Sequence, residues 1–113
     1  KKFMQLDFDP INKDIFEMIR GGGKKVETRA ATPKYQQIKE GSVVIFFCEG
    51  EQFEKKVSKV NYFKSIESLL ETYAPEEINP RLKTKEEIIE LYYSFRNYKE
   101  KIEEFGLVAI EVQ

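Results

Sequence analysis

A chain of 113 residues that is 41% hydrophobic, 35% charged and 13% aromatic has material for one globular core and is too short for two cores flanking a cleft. Its formal net charge of −1 gives no global attraction to phosphate backbones, so any nucleic-acid contact must be local. With no histidine and a single cysteine, Cys48, the composition excludes Ser-His-Asp and Cys-His nucleophilic systems, a Cys/His zinc site and an intrachain disulfide, and leaves Lys, Glu, Asp, Ser, Thr and Tyr as the available chemistry.

Residues 3–8 alternate, with Met4, Leu6 and Phe8 on one face and Gln5 and Asp7 on the other, which predicts a half-buried strand. Asp9 is then placed to cap a helix over residues 10–20, with Pro10 in its first turn, Ile11, Ile15, Met18 and Ile19 on one stripe, and Gly21 as its stop. After three glycines, residues 25–30 alternate again, with Val26 and Thr28 on one face and Lys25, Glu27 and Arg29 on the other. A polar stretch leads to the apolar run 42–48, whose length and β-branched content predict a strand buried on both faces. Cys48 falls in that run and reads as a buried, inert thiol suited to a reducing compartment.

The turn Glu49-Gly50-Glu51 and the return segment 52–63, carrying Phe53, Val57, Val60 and Tyr62, predict a hairpin with a bulge where the alternation falters. Ser65 caps a short helix with Ile66, Leu69 and Leu70, and residues 75–80 read as an irregular connection. Thr84-Lys85-Glu86-Glu87 has the spacing of a capping box, ahead of a helix that buries Ile88, Leu91, Tyr92 and Phe95. Gly106 breaks the following helical stretch, and residues 107–112 close the chain as an apolar strand. The order is strand, helix, three strands, two or three helices, strand. It predicts a single α+β domain over residues 1–113, a curled mixed sheet with short helices packed outside. No leader-like segment opens the chain and no apolar run approaches the roughly 18 residues of a membrane span, so the expected location is cytoplasmic.

Several stretches together carry a family resemblance. A helix ends in Ile19-Arg20-Gly21, followed by Gly23-Lys24-Lys25-Val26-Glu27-Thr28-Arg29 and then by Ile38-Lys39-Glu40-Gly41-Ser42 ahead of an apolar strand. Later come Tyr62-Phe63-Lys64-Ser65-Ile66 and the terminal Gly106-Leu107-Val108-Ala109-Ile110-Glu111. In this order and spacing they resemble the ASCH family and its G-x-K-x-x-E-x-R signature. The resemblance implies a PUA-like curled sheet or barrel flanked by short helices, a cleft between barrel and helices, and binding of RNA or modified nucleosides. One bacterial subfamily deacetylates acetylcytidine with a lysine, a threonine nucleophile and a glutamate. Carried over by the motif, its lysine falls on Lys24, its threonine position on Glu27, and its glutamate near Glu77, with Glu76 and Glu71 equally defensible. The adjacent Thr28 points to the opposite strand face, so it does not simply replace the missing hydroxyl.

Read from the residues alone, Glu27 and Arg29 lie about 7 Å apart on one strand face, where they share a ligand or pair with each other. An arginine fork suits a phosphate or a base edge, Lys24 adds a charge or an amine, and Glu27 accepts a proton. The plain alternative is a solvated strand face with a structural ion pair. Gly21-Gly22-Gly23 follows a helix instead of preceding one, so it reads as helix termination and not as a phosphate cradle. Tyr93 and Tyr98 are the tyrosines available as a stacking surface, whereas Tyr92 and Phe95 belong to the core.

The expected ligand-binding set is therefore Lys24, Lys25, Glu27, Arg29, Lys34 and Tyr35, on a monomer that takes RNA, a nucleoside or a nucleotide without cofactor, metal or membrane. An alternative makes the chain a hydrolase of a nucleoside amide or of RNA, with Lys24, Glu27 and Glu77 catalytic. A second alternative is a protein-interaction domain that presents an apolar patch on its helices.

Overall fold

The alternation at the start of the chain becomes strand β1 (Met4–Asp7), with Leu6 fully buried, in a computed structural model that describes residues 3–113. Residues 1 and 2 of the expected domain lie outside the described residues. Pro10 does not open a continuous α-helix to residue 20. It opens a 3-10 turn, Pro10–Asn12, and only then does helix α1 (Lys13–Arg20) begin. Asn12, at φ −105° and ψ 20°, lies outside α-helical dihedrals, and the Asp9 carboxylate makes no capping bond. The buried face of α1 is Ile15, Phe16 and Ile19, while Ile11, expected on that stripe, is 82% exposed in the 3-10 turn.

The remaining strands are β2 (Val26–Ala30), β3 (Val43–Cys48), β4 (Glu51–Phe63) and β5 (Leu107–Val112), in the sheet order β1-β3-β4-β5-β2. Only the β1–β3 pair is parallel, so the sheet is mixed. β4 serves two partners, its first half pairing with β3 and its second with β5, and the ladder slips between Val57 and Lys59. That bulge bends the strand and curls the sheet into a half-barrel. β1 and β2 are left as its two edges.

β3 is not equally buried on both faces. Val44, Phe46 and Cys48 are inaccessible while Val43, Ile45 and Phe47 are half-buried, because α1 covers one side alone. The strand buried on both sides is β5. Its Val108, Ile110 and Val112 enter the barrel core with Leu6, Phe16 and Phe46, and its Leu107 and Ala109 join Leu69, Ile88 and Ile102 under the helices. Each such fully buried aliphatic or aromatic side chain contributes about 1.5–3 kcal/mol.

Four helices lie between β4 and β5, against the two or three expected: α2 (Ile66–Thr72), α3 (Pro75–Ile78), α4 (Lys85–Ser94) and α5 (Tyr98–Phe105). Ser65 and Thr84 cap α2 and α4 in reciprocal boxes. The segment read as irregular holds α3, a single turn begun by Pro75 and closed by the Glu77 carboxylate accepting the Ala74 N–H at 2.9 Å. α4 stops at Ser94, and Asn97, with φ 61°, turns the chain into α5. Among the described residues no helix is long and apolar enough to cross a membrane.

Candidate functional site

The signature is positioned by the end of α1 and the edge strand β2. The Lys24 N–H donates to the Met18 carbonyl at 3.0 Å, folding the glycine turn back so that the Lys24 side chain runs inward beneath α3. Only 3% exposed, its ammonium donates to the carbonyls of Val26 and, at 2.5 Å, of Ile78, and lies 3.8 Å from the Glu27 carboxylate. Burial lowers the lysine pKa; Glu27 opposes this and Arg29 adds to it.

Glu27 is itself buried and accepts from Arg29 Nε at 2.7 Å. The Arg29 guanidinium is engaged on every nitrogen, donating also to the Tyr35 hydroxyl and to the Asp7 carbonyl, both at 3.2 Å. It lies over the rings of Phe8 at 5.2 Å and Tyr35 at 5.5 Å. Burial alone would lower its pKa, but the Glu27 carboxylate holds it above the ordinary range. Arg29 therefore fastens one sheet edge, β2, to the end of the other, β1, and little of its fork is left for a ligand.

These residues border a cavity of about 520 Å³ lying between the β1 and β2 edges and the helices. Lys24, Glu27, Thr28, Arg29 and Asn79 supply polar lining; Phe8, Tyr92, Phe95 and Tyr98 supply rings. The Tyr92 and Tyr98 rings are parallel at 6.2 Å, and Phe95 meets Tyr98 edge-on at 5.2 Å. Tyr92 shares a hydrogen bond with the Thr28 hydroxyl, and the Tyr98 hydroxyl accepts the Ala30 N–H at 3.1 Å. Burial pushes both phenols above their usual pKa, so both are neutral near pH 7.

The expected set divides. Lys24, Glu27 and Arg29 meet at the cavity. Lys25 does not: β2 begins only at Val26, and Lys25 is exposed beside a separate depression with Lys55 and Glu111. Lys34 is exposed above the Tyr35 ring, and Tyr35 stands behind Arg29, so neither lines the cavity. Glu77 is an exposed cap of α3, and Glu71 and Glu76 are exposed as well, so none of the three reaches the cavity.

Phe95, expected in the core, is 38% exposed at the cavity, whereas Tyr93, expected as a stacking face, is 48% exposed outside it. Sequence reasoning missed Phe8, Asn79 and Arg96. Arg96 lines the cavity, is exposed, and has no ion pair among the described residues. Its position after the aromatic run at the end of α4 was the available signal. No group of three or more His, Cys, Asp or Glu side chains suited to a metal occurs among the described residues.

Comparison with known proteins agrees with this architecture. Hypothetical protein PH0355, known from a crystal structure, shares 30% identity and a TM-score of 0.85, with 99% of this chain and 98% of that chain covered. Protein PF0455 from Pyrococcus furiosus, known from a solution NMR structure, shares 28% identity and a TM-score of 0.77, with 99% and 96% covered. No curated protein matches. The sequence profile of the ASCH domain matches residues 11–113, which takes in the signature, the cavity lining other than that from residues 7–9, and all strands but β1, and the chain belongs to the ASCH domain family.

Proposed function

We propose that the cavity takes up one unstacked base of an RNA, or a free nucleoside, and that the domain is a binding module. The observation that carries this is the lining itself: rings of Phe8, Tyr92, Phe95 and Tyr98 face a polar group of Glu27, Thr28 and Asn79 in a space of about 520 Å³. That is within the roughly 300–1,000 Å³ range of small-molecule sites. Aromatic walls and a few fixed polar groups are what an extruded base requires. The unpaired Arg96 at the cavity suits a flanking phosphate and supplies the local positive charge that the net charge of −1 withholds.

Titration calorimetry with nucleosides and short single-stranded RNAs tests the reading, together with mass spectrometry of what co-purifies. Phe95→Ala should weaken binding by about 1–3 kcal/mol, the worth of one base–aromatic stack. Arg96→Ala should flatten the salt dependence for RNA and leave nucleoside affinity unchanged. Absence of saturable binding by any of them refutes the proposal.

A hydrolytic reading rests on Lys24, a buried amine of lowered pKa beside Glu27, since perturbed groups gather at catalytic sites. Against it, the ammonium is already engaged by the Val26 and Ile78 carbonyls, which gives its burial a structural reason. Incubation with acetylated cytidine separates the two: turnover that Lys24→Arg abolishes while binding persists would establish hydrolysis, because a guanidinium does not release its proton near neutral pH.

A further inference from the structure

On the outer edge of β2 one residue, Thr28, has both its backbone groups free among the described residues, and it lines the cavity. β2 pairs with β5 so that Lys25 faces Val112 and Ala31 faces Gly106 through direct hydrogen bonds, the Val112 N–H to the Lys25 carbonyl and the Ala31 N–H to the Gly106 carbonyl, each at 2.9 Å. In an antiparallel ladder bonded and non-bonded pairs alternate, so the backbone groups of Val26, Thr28 and Ala30 turn away from β5. The Val26 carbonyl is taken by the Lys24 ammonium, the Ala30 N–H by the Tyr98 hydroxyl, and the Ala30 carbonyl by the Thr32 N–H at 2.8 Å. Between them, the N–H and C=O of Thr28 have no hydrogen-bond partner among the described residues, and Thr28 lines the cavity.

We propose that this backbone pair reads the edge of the base whose binding is proposed above: the Thr28 N–H donates to a ring nitrogen or an exocyclic carbonyl oxygen, and the Thr28 carbonyl accepts from the adjacent ring or exocyclic N–H. The inference rests on that reading and adds its recognition element. An extended residue presents both groups side by side on one edge, which matches a heterocycle carrying donor and acceptor on neighbouring atoms, as uracil, cytosine and adenine do. A peptide strand is a poorer fit, because it would continue along β2 and meet Lys24 at one end and Tyr98 at the other. The side chain has its own task, holding Tyr92, and leaves the backbone to the ligand.

The specificity that follows is for an unblocked edge. A base alkylated at the donor nitrogen strands the Thr28 carbonyl, a loss of about tenfold or more in affinity. The test is NMR titration of the full 15N-labelled chain with uridine, cytidine and adenosine, each beside its blocked form: N3-methyluridine, N4,N4-dimethylcytidine and N6,N6-dimethyladenosine. The expected result is a saturable downfield shift of the Thr28 amide proton and a preference of about tenfold or more for an unblocked nucleoside over its partner.

Thr28→Val keeps the N–H and should keep the preference. Thr28→Pro loses the hydroxyl bond to Tyr92 as Thr28→Val does, and in addition an outward-facing N–H, whose loss an edge strand tolerates, so measured against Thr28→Val it should abolish the shared recognition. Should that variant not fold, the amide shift and the paired nucleosides decide the matter without it. Blocked and unblocked forms binding equally, with the Thr28 amide unmoved while Phe95 and Tyr98 respond, would overturn this inference and leave base binding standing. No response at the cavity to any nucleoside overturns both.

Discussion

Arg29→Ala offers the most demanding test of the site's construction. The substitution removes the bond to Glu27, those to Tyr35 and Asp7, and the contacts over Phe8 and Tyr35, but its main consequence is a stranded charge. Glu27 would keep a buried carboxylate whose nearest cation is Lys24 at 3.8 Å. With side chains 16% and 9% exposed, the Arg29–Glu27 pair is not a screened surface bridge, and breaking such a pair costs about 3–5 kcal/mol. At about 4 °C per kcal/mol for a domain of this size, the melting temperature should fall by roughly 12–20 °C. Far-UV circular dichroism with urea and with heat measures both.

The control is the double variant Arg29→Ala with Glu27→Gln, which removes the stranded charge and should lose less than the sum of the singles by about 2 kcal/mol. Arg29→Lys should recover only part of the loss, since one ammonium cannot span Glu27, Tyr35 and the Asp7 carbonyl together. A cost below about 1 kcal/mol for Arg29→Ala, or additive single losses, would refute the picture of a buried fastening between the two sheet edges.

Two further substitutions probe the surroundings. Because burial holds the Lys24 pKa below the unfolded chain's value of 10.5, the unfolded state binds that proton more tightly, and stability rises with pH from the folded pKa up to 10.5. Lys24→Met should lose this alkaline rise in urea titrations compared with the unmodified chain, while costing about 1–3 kcal/mol near pH 7 through the unpaired Val26 and Ile78 carbonyls. Gly106→Ala should destabilise by more than about 2 kcal/mol in the same assay, since Gly106 has φ 77° and a Cβ there would stand 2.4 Å from the Phe63 carbonyl oxygen.

The strands were legible locally: Met4 to Phe8 and Val26 to Ala30 carry a period of two, and β3 and β5 stand out as short apolar runs. The faltering alternation near Val57 marked the bulge that curls the sheet. Lys24, Glu27 and Arg29 were legible as a group through their spacing. Their number of free donors was not, because the Ile78 carbonyl and the Asp7 carbonyl that engage them come from distant parts of the chain. Lys25 shares the face of Glu27 and Arg29 in a period of two, but it lies before β2 at the exit of the glycine turn and borders a different depression from theirs. Glu77 was drawn to the site by a segment too short and irregular to fix a register, and it serves instead as the cap of α3. Phe95 falls on the helical stripe of Ile88 and Tyr92, yet α4 ends at Ser94, so the ring leaves the core and borders the cavity.

The site's location follows from the sheet order. In β1-β3-β4-β5-β2 the first two strands of the chain are the two edges, and a barrel would close only by pairing them. They do not pair. Arg29 instead reaches from β2 to the Asp7 carbonyl, Lys24 covers the Val26 carbonyl, and Tyr98 covers the Ala30 N–H, so side chains protect an edge that a neighbouring strand would otherwise have to satisfy. This explains why two cations and an anion are buried where apolar residues would pack at no desolvation cost. An apolar seam would leave those edge groups unpaired, while direct pairing of β1 with β2 would occupy the space between the two edges that the cavity fills. The charged fastening holds the half-barrel together and keeps Thr28, the one residue of that edge with both backbone groups free among the described residues, in contact with the space beneath the aromatic wall.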